Sequence, residues 1–418
     1  MLQTIILQTL NRFPKPDFES GYDYPIREYI VPNEALWSYI DIAMLVLLMS
    51  FVAWAVIKKQ VRVPVILTSI ISVAYFGFFR HGCVCSIGAV QNVALSLADS
   101  SYTVPLFVLL MFTLPIVFTL FFGRVFCAGV CPFGALQELV NVKNYRLSKT
   151  VTSILGIFPW IYLGFALLFA VTNSRFIICR FDPFVGIFRL GGEFPLLLFG
   201  VLLLVFSIFT GRPFCRFICP YGAILSLFAK ISFRQVKITR KECINCQLCH
   251  NACPVDAICP PYENKVKEHR ADGVKRILRY IVFLPLVVAA GAAIMYVLSD
   301  NFSKVNKNVR LYDMVMSPPA PQRGELELQS FYAQETKTVE ELAAEVAVIK
   351  RNFRIYSGIT GAFFGLVIAL TLINLSVKRT RKSYEIDDAG CVCCGRCFKY
   401  CPQNKLERRF ADNADFRR

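Results

Sequence analysis

Two groups of four cysteines share one spacing that could bind metal. Cys243, Cys246, Cys249 and Cys253 precede Pro254, and Cys391, Cys394, Cys397 and Cys401 precede Pro402. In a C-x2-C-x2-C-x3-C-P run, three thiolates bind one 4Fe-4S cluster and the fourth reaches a second cluster. The spacing therefore predicts two clusters that need both segments, one held by Cys243, Cys246, Cys249 and Cys401 and the other by Cys391, Cys394, Cys397 and Cys253.

Zinc sites and disulfides are the alternatives for these eight cysteines. The surrounding Lys and Arg residues indicate a reducing cytoplasmic side, and the regular spacing favours iron-sulfur clusters over both alternatives. Cys259 and Cys393 fall outside the register, and we interpret them as thiols that bind no metal. Because Cys393 and Cys394 are adjacent, the choice of ligand between them stays open.

A second cysteine pattern occurs twice. Residues 123–136 read GRVFCAGVCPFGAL, and residues 211–225 read GRPFCRFICPYGAIL. The two copies supply Cys127, Cys131, Cys215 and Cys219, enough by count for a further four-cysteine cluster. A redox-active dithiol and a copper site are the alternatives for these thiols.

Two looser copies of this pattern lie at the opposite ends of the same apolar stretches. Residues 81–93 read HGCVCSIGAVQNV, and residues 178–188 read ICRFDPFVGIF. They predict an outer cluster, dithiol or copper site that would use Cys83, Cys85, Cys179 and Asp182. His81 is a weaker candidate ligand.

The composition indicates the elements that must position these groups. Of the 418 residues 55% are hydrophobic and 18% charged, which excludes an ordinary soluble domain. Seven stretches approach the roughly 20 apolar residues that cross a bilayer, namely 36–57, 61–79, 103–122, 151–172, 194–210, 280–298 and 355–376. We predict an all-α polytopic membrane protein with about seven transmembrane helices, an internal repeat and a small cytoplasmic ferredoxin-like module assembled from two segments.

Basic residues predict the orientation. Lys and Arg follow the first, third, fifth and seventh stretches, as at Lys58, Arg124, Arg212 and Lys378. Since short cytoplasmic loops retain positive charge, the N-terminus is predicted outside and the C-terminus in the cytoplasm. These loops, rather than a nucleic-acid partner, explain the net charge of +17. Both ferredoxin-like segments fall on the cytoplasmic side, because two stretches separate them.

The predicted organisation has seven parts. They are an outer segment 1–35 taken as mature sequence, a transmembrane core 36–230, a ferredoxin-like segment 231–279, a transmembrane helix 280–298, a periplasmic loop 299–354, a transmembrane helix 355–376 and a second ferredoxin-like segment 377–418. Within the loop, Thr338 and Glu341 match a capping box, and an apolar residue recurs at helical spacing at Val339, Leu342, Val346 and Ile349. This amphipathic helix packs on the protein's own surface or docks a partner.

Other cofactors have less support in the sequence. His81, His250 and His269 all lie outside the apolar stretches, so the sequence predicts no membrane haem. Residues 357–361, SGITG, distantly resemble the short sequences that carry covalent FMN in membrane redox subunits, with Thr360 as the attachment point. No constellation of acid, base and nucleophile is visible, which favours an electron-transfer subunit of a membrane oxidoreductase complex.

The paired C-x3-C-P turns, the GCVCSIGAVQN turn, the ICRFDPF segment and the ferredoxin-like motifs together resemble the NosR/NapH group of membrane polyferredoxins. The resemblance is specific over residues 75–260 and again over residues 391–402. It implies a bacterial inner-membrane protein that takes electrons from a quinol or a low-potential cytoplasmic source. It further implies a periplasmic redox protein or flavoprotein subunit as acceptor, within a complex of membrane subunits.

The predicted function is transmembrane electron transfer between the cytoplasmic clusters and a periplasmic partner. A copper-handling or maturation factor for a periplasmic metalloenzyme is one alternative, in which the membrane-edge cysteines bind or reduce copper. A redox sensor that only signals is another.

Overall fold

The structure is a computed structural model, and it describes residues 35–82, 86–238, 243–262, 270–316, 338–376, 381 and 383–404. The predicted outer segment 1–35 lies almost wholly outside the described residues. Helices dominate the described chain, and the strands within it form one two-stranded sheet.

Twelve helices make up the core in the described residues between 35 and 230. They are α1 (Ala35–Ala53), α2 (Val63–Ser72), α3 (Ser86–Ala98), α4 (Leu106–Phe122), α5 (Pro132–Val140), α6 (Lys149–Leu155), α7 (Phe158–Val171), α8 (Ile177–Phe181), α9 (Pro183–Phe188), α10 (Phe194–Phe209), α11 (Pro213–Phe217) and α12 (Pro220–Lys230). Short π-helical turns extend α1 to Lys58 and α2 to Phe79, and a third spans Phe126–Val130.

Proline and glycine set the helix ends at the cysteine turns. Pro132, Pro183 and Pro220 each begin a helix directly after Cys131, Asp182 and Cys219. Proline suits this first helical position because its missing N–H would have no partner there. Gly123 ends α4 with a φ of 75°, a conformation that glycine adopts without steric cost. The repeated sequence therefore gives a repeated turn that enters a short helix.

The remainder of the described chain forms the ferredoxin-like segments and a long helical pair. Its elements are α13 (Leu248–Ala252), β1 (Ile258–Cys259), α14 (Arg270–Val297), α15 (Ser299–Ser303), α16 (Lys307–Met316), α17 (Val339–Ser376), β2 (Glu385–Ile386) and α18 (Arg396–Tyr400). Helices α14 and α17 cross closely at Gly291 and Gly361, where a Cβ on either would collide with the other backbone. Small residues allow this approach in membrane helices.

Four helical stretches in the described residues are long and apolar enough to cross a membrane: Leu36–Lys58, Lys149–Val171, Ala271–Val297 and Val339–Ser376. The other three predicted stretches coincide with shorter apolar helices, Val63–Phe79, Leu106–Phe122 and Phe194–Phe209. These helices, of 16 or 17 residues, lie at or just below the lower end of the length range for a membrane span, about 17–25 residues. The chain is thus a mostly helical membrane protein.

Strand β1 pairs with β2 in antiparallel register, with Ile258 opposite Ile386 and Cys259 opposite Glu385. An isolated bridge joins Tyr262 to Arg381. Because β1 precedes α14 and β2 follows α17, the start of the first helix and the end of the second lie on the same side of the protein.

The predicted amphipathic helix and the last apolar stretch form one helix of 38 residues, α17. No proline interrupts this part of the sequence, so the helix continues through the predicted boundary at residue 355. The capping box is confirmed, because Glu341 N donates to Thr338 Oγ1 at 3.3 Å and Thr338 N donates to Glu341 Oε2 at 3.1 Å. Leu342 and Val346 are buried against Val309, so this face packs on the protein's own surface.

Candidate iron-sulfur centres

Site 1 is the group predicted for the first cluster, and the structure brings its four cysteines together. Cys243, Cys246, Cys249 and Cys401 line one cavity of about 390 Å³, including its opening, with Tyr384 and Pro402 beside them. Burial raises the pKa of Cys249, and the neighbouring thiols of Cys401, Cys243 and Cys246 raise it further. Cys246 is exposed, so the cavity opens to solvent.

Site 2 is the predicted second group, Cys253, Cys391, Cys394 and Cys397. Burial raises the pKa of Cys397 well above its ordinary value, and the thiols of Cys394, Cys391 and Cys253 add to the shift in that order. The thiol of Cys397 is thus electrostatically coupled to the other three cysteines of this group, and also to Cys249 of site 1. In contrast to site 1, site 2 has no exposed cysteine, since Cys253 is buried and the other three are half-buried.

The two ferredoxin-like segments use the same local turn. Asn245 and Gln247 in the first segment have φ values of 54° and 62°, and Cys393 and Gly395 in the second have 53° and 71°. Cys393 therefore occupies the turn position of Asn245, between two ligand positions. This equivalence supports Cys394 rather than Cys393 as the ligand of site 2.

The membrane-edge site is the group of four cysteines from the two C-x3-C-P turns. Cys127, Cys131, Cys215 and Cys219 line a cavity of about 310 Å³, including its opening, together with Arg124 and Tyr221. The turn after α4 and the turn after α10 each contribute two of the cysteines. The repeat thus assembles one site from two copies, on the side of the protein where the ferredoxin-like segments lie.

The membrane-edge cavity fits a 4Fe-4S cluster. The Arg124 Nε atom is buried and has no acceptor among the described protein atoms, although Arg124 lines this cavity. An anionic cluster would place sulfur acceptors there. No three described side chains are grouped as they would be around a single metal ion. A four-iron cluster instead bonds each thiolate to a different iron, so its ligands surround a cavity.

Burial disfavours the thiolate form of three cysteines of this site. It raises the pKa of Cys215 to about 11 and raises the pKa values of Cys131 and Cys219 well above their ordinary value. Thiolates are the form that binds iron, so cluster binding at this site releases protons. The Gly222 N–H donates to Cys219 Sγ at 3.3 Å, which favours the thiolate once it forms.

A buried charge network lies beside these sites. Glu138 accepts hydrogen bonds from Arg212 Nε at 3.0 Å, from Arg396 Nε at 2.7 Å and from Arg62 Nη2 at 3.0 Å. Glu138 is 5% exposed and Arg212 is fully buried. The three guanidinium groups hold the pKa of Glu138 below its ordinary value against the opposing effect of burial. Three arginines around a single carboxylate leave an excess of positive charge, which favours anionic centres nearby.

This network is not evident from the sequence pattern alone. The pattern marks Arg124 and Arg212 only as loop charges, and it gives no signal for Glu138. The available signal was an arginine at the same position of both repeats, in GRVFC and GRPFC.

The predicted outer residues are only partly described. Cys83 and Cys85 lie outside the described residues. Cys179 is exposed, and its Sγ packs against Gly88, where an added Cβ would come within 2.9 Å of the sulfur. Asp182 is buried and caps α9, accepting from the Phe184 N–H at 3.0 Å, and burial raises its pKa to about 7. The described geometry gives Asp182 a structural role as a helix cap.

Thr360 does not fit a covalent flavin. It is 8% exposed within α17, next to Gly361, whose backbone touches Gly291 of α14. An attached flavin ring needs open space beside its attachment point, and this helix crossing is closely packed. Cys259, outside the cysteine register, lies in β1 opposite Glu385.

The comparisons with known proteins agree with this chemistry. A family described as a 4Fe-4S binding domain matches residues 104–149 and 193–241. The matched ranges contain both C-x3-C-P turns, with all four cysteines of the membrane-edge site. No solved structure matches the chain.

Several curated proteins are similar to parts of the chain. The uncharacterized protein MJ0750 of Methanocaldococcus jannaschii is 30% identical over 190 residues, 43% of this chain and 77% of that protein. The regulatory protein NosR of Stutzerimonas stutzeri is 31% identical over 46% of this chain but only 29% of its own length. The protein NirI of Paracoccus denitrificans is 36% identical over 34% of this chain and 23% of its own length.

The family match falls on the cysteine repeats. The chain covers most of the archaeal relative and less than a third of NosR and NirI. The chain belongs to the NosR/NapH-type family of membrane-bound 4Fe-4S proteins.

Proposed function

We propose that this protein carries electrons across a bacterial inner membrane, from a cytoplasmic or quinol donor to a periplasmic redox protein or flavoprotein subunit. Sites 1 and 2 would each hold a 4Fe-4S cluster, and the membrane-edge site would hold a third. The observation that carries this proposal is the membrane-edge cavity, whose four cysteines come from both repeats and which contacts the second ferredoxin-like segment through Arg124.

All seven apolar helices cross the membrane in this proposal, with the N-terminus outside and the C-terminus in the cytoplasm. Two features support this topology. The pairing of β1 with β2 requires the start of α14 and the end of α17 to share a side, as two crossings between them would arrange. The basic residues after the first, third, fifth and seventh stretches mark that side as cytoplasmic.

The protein's own contribution is to place and tune the carriers. The bound clusters supply reversible one-electron transfer. The cysteines fix their positions, and hydrogen bonds to the ligand sulfurs, such as Ala257 N to Cys253 Sγ at 3.3 Å, stabilise the more negative reduced state. The apolar surroundings of the membrane-edge site exclude water, which strengthens these electrostatic effects.

An outer centre completes the proposed path, because the hydrocarbon core is about 30 Å thick. Cys83, Cys85 and Cys179 are its proposed ligands. The partners are a periplasmic redox protein and other subunits of a membrane complex. The names of two relatives, a putative electron transport protein YccM and the ferredoxin-type protein MauN, support electron transfer as the general activity.

Iron and acid-labile sulfide analysis with EPR, on protein purified without oxygen, tests this proposal. We expect at least about twelve iron atoms per chain, because each 4Fe-4S cluster contributes four. Cys215→Ala should lose about four of them while keeping the EPR signals of sites 1 and 2. Cys259→Ala is the matched control, with no iron lost.

Two results would overturn the proposal. Only about eight iron atoms in the wild-type protein would show that the membrane-edge site holds no cluster. Stoichiometric copper that disappears in Cys215→Ala would instead assign a copper-handling function to these four thiols.

A further inference from the structure

Each copy of the cysteine repeat contributes one buried arginine at the same position. Arg124 follows Gly123 in the first copy, and Arg212 follows Gly211 in the second. Arg124 is 6% exposed and Arg212 is fully buried. Burying a guanidinium group costs folding free energy unless several acceptors or anions surround it. Because both repeats bury one at the same position, we infer that the two arginines have the same role.

Arg124 joins the membrane-edge site to the second ferredoxin-like segment. Its Nη2 lies 3.8 Å from Cys127 Sγ, and its Nη1 donates to the Ala389 carbonyl at 3.0 Å. Ala389 lies two residues before Cys391, a proposed ligand of site 2. One side chain therefore contacts a ligand of one site and the backbone that leads into the other.

Arg212 makes a second connection between the same two sites. Its Nη1 and Nη2 donate to the carbonyls of Cys127 and Ala128, and its Nε donates to Glu138 Oε2 at 3.0 Å. The other oxygen of Glu138 accepts from Arg396, which lies between Cys394 and Cys397 in the chain. A chain of hydrogen bonds therefore runs from the membrane-edge site to site 2 through Arg212, Glu138 and Arg396.

The glycines beside these arginines bring the backbones into contact. A Cβ on Gly211 would collide with Pro254, which follows the site 2 ligand Cys253, and a Cβ on Gly123 would lie 3.2 Å from Cys393 Sγ. Both repeats therefore touch the part of the ferredoxin-like module that carries site 2. The exposed cysteine of site 1, Cys246, is not among these contacts.

We propose that Arg124 and Arg212 are positioning residues that hold site 2 against the membrane-edge site and raise the reduction potentials of both centres. This inference rests on the proposed function and adds the order of transfer, from site 1 through site 2 to the membrane edge. In the step between the last two centres, one electron leaves the first and arrives at the second. No bond forms or breaks and no proton moves.

The sign of the expected effect follows from charge. Reduction makes a cluster more negative, and a fixed positive charge nearby stabilises that state. Replacing either arginine with glutamine removes the charge and lowers the reduction potentials of the two adjacent centres. The potential of site 1 stays unchanged, because its cavity is lined by neither arginine.

The test is an EPR-monitored redox titration of the full-length protein in detergent. Arg124→Gln and Arg212→Gln should each shift the midpoints of the site 2 and membrane-edge signals downward and leave that of site 1 in place. Arg212→Lys keeps the charge and should keep most of the potential. The matched control is Arg234→Gln, since Arg234 is exposed and its loss removes one charge from the same cytoplasmic side.

A second readout on the wild-type protein does not depend on the variants. Pulsed EPR of the fully reduced protein should show stronger magnetic interaction between the membrane-edge centre and site 2 than between the membrane-edge centre and site 1. If Arg212→Gln fails to assemble iron, Arg124→Gln and this measurement decide the question.

The failure of this inference is distinguishable from failure of the proposed function. About eight iron atoms in the wild type would remove the third centre and with it the proposed function. About twelve iron atoms, with no shift in the variants or with equal shifts at all three centres, would leave the function standing and overturn the role of the arginines. Stronger interaction of the membrane edge with site 1 would overturn it as well.

Discussion

Sites 1 and 2 have the same ligand spacing but different surroundings. Site 1 opens to solvent beside the exposed Cys246, and the chain around it is attached by exposed contacts such as Arg146 to Asn251 at 3.0 Å. Site 2 has no exposed cysteine and faces the buried network of Glu138 and its arginines. The same spacing therefore gives one group of cysteines that opens to solvent and one that faces the interior of the protein.

This difference assigns distinct roles to the two sites. An exposed centre suits exchange with a partner that binds and leaves, whereas a buried centre suits transfer within the protein. In the proposed ligand assignment, Cys253 and Cys401 are exchanged between the two segments, so each segment supplies a ligand to both sites. Electrons that reach site 1 would then have site 2 as their neighbouring carrier.

The largest expected effect separates the two sites by their ligands. Cys397→Ala should reduce transfer to the periplasmic side to the level of vesicles without protein, because site 2 lies between the donor side and the membrane edge. Cys246→Ala should retain measurable transfer when a small reductant such as dithionite replaces the natural donor, since dithionite can enter the solvent-open cavity of site 1 beside site 2. Equal transfer rates in the two variants would show that sites 1 and 2 do not differ in function.

Removing the carboxylate of the network should destabilise the protein strongly. Glu138→Gln leaves three arginines without their shared anion, and breaking a buried ion pair from one side costs about 3–5 kcal/mol. Thermal unfolding in detergent measures this loss. Glu340→Gln, on an exposed first turn of α17, is the control and should stay within about 0.5 kcal/mol of wild type. A similar small change for Glu138→Gln would show that the network contributes little.

The same carboxylate predicts a dependence of stability on pH. The pKa of Glu138 in the folded protein is below its ordinary value, so its contribution is fully present above about pH 4.5 and is lost as pH falls through the lowered value. Between pH 8 and about pH 5, the stability difference between wild type and Glu138→Gln should stay constant. A difference that already disappears in that range would contradict the lowered pKa.

A smaller effect is expected where the repeat meets site 2. Gly211→Ala forces a Cβ into Pro254, which should lower the free energy of unfolding by about 1–3 kcal/mol. We also expect it to loosen the packing around site 2. Gly273→Ala is the matched control, because a Cβ there meets nothing within 4 Å and alanine favours the helix. Accessibility of Cys394 to a thiol reagent in the iron-free protein reports the loosening. Equal labelling of both variants would show that the contact between Gly211 and Pro254 does not support site 2.

The smallest effect is expected outside both ligand sets. Cys393→Ser should leave the iron content unchanged, because Cys393 occupies the turn position that Asn245 has in the first segment. Iron analysis beside Cys394→Ser, which should lose about four iron atoms, checks this. Loss of iron in Cys393→Ser but not in Cys394→Ser would show that Cys393, rather than Cys394, is the ligand.

The sequence predicted what depends on local spacing. The C-x2-C-x2-C-x3-C-P runs and the C-x3-C-P turns are short, so their candidate ligands lie within a few residues of one another in the sequence. The charge network is not local, because Glu138 lies 74 residues from Arg212 and 258 residues from Arg396. The length of α17 also differs from the prediction, because an amphipathic face and an apolar stretch predict two elements, whereas nothing in the sequence ends the helix between them.

Transfer across a sealed membrane tests the central claim most directly. Proteoliposomes would contain an impermeant oxidant, and a reductant would be added on the side of the ferredoxin-like module. The account predicts that wild-type protein reduces the trapped oxidant many times faster than vesicles without protein, and that Cys215→Ala does not. A wild-type rate no higher than that of empty vesicles, or an unchanged rate in Cys215→Ala, would contradict it.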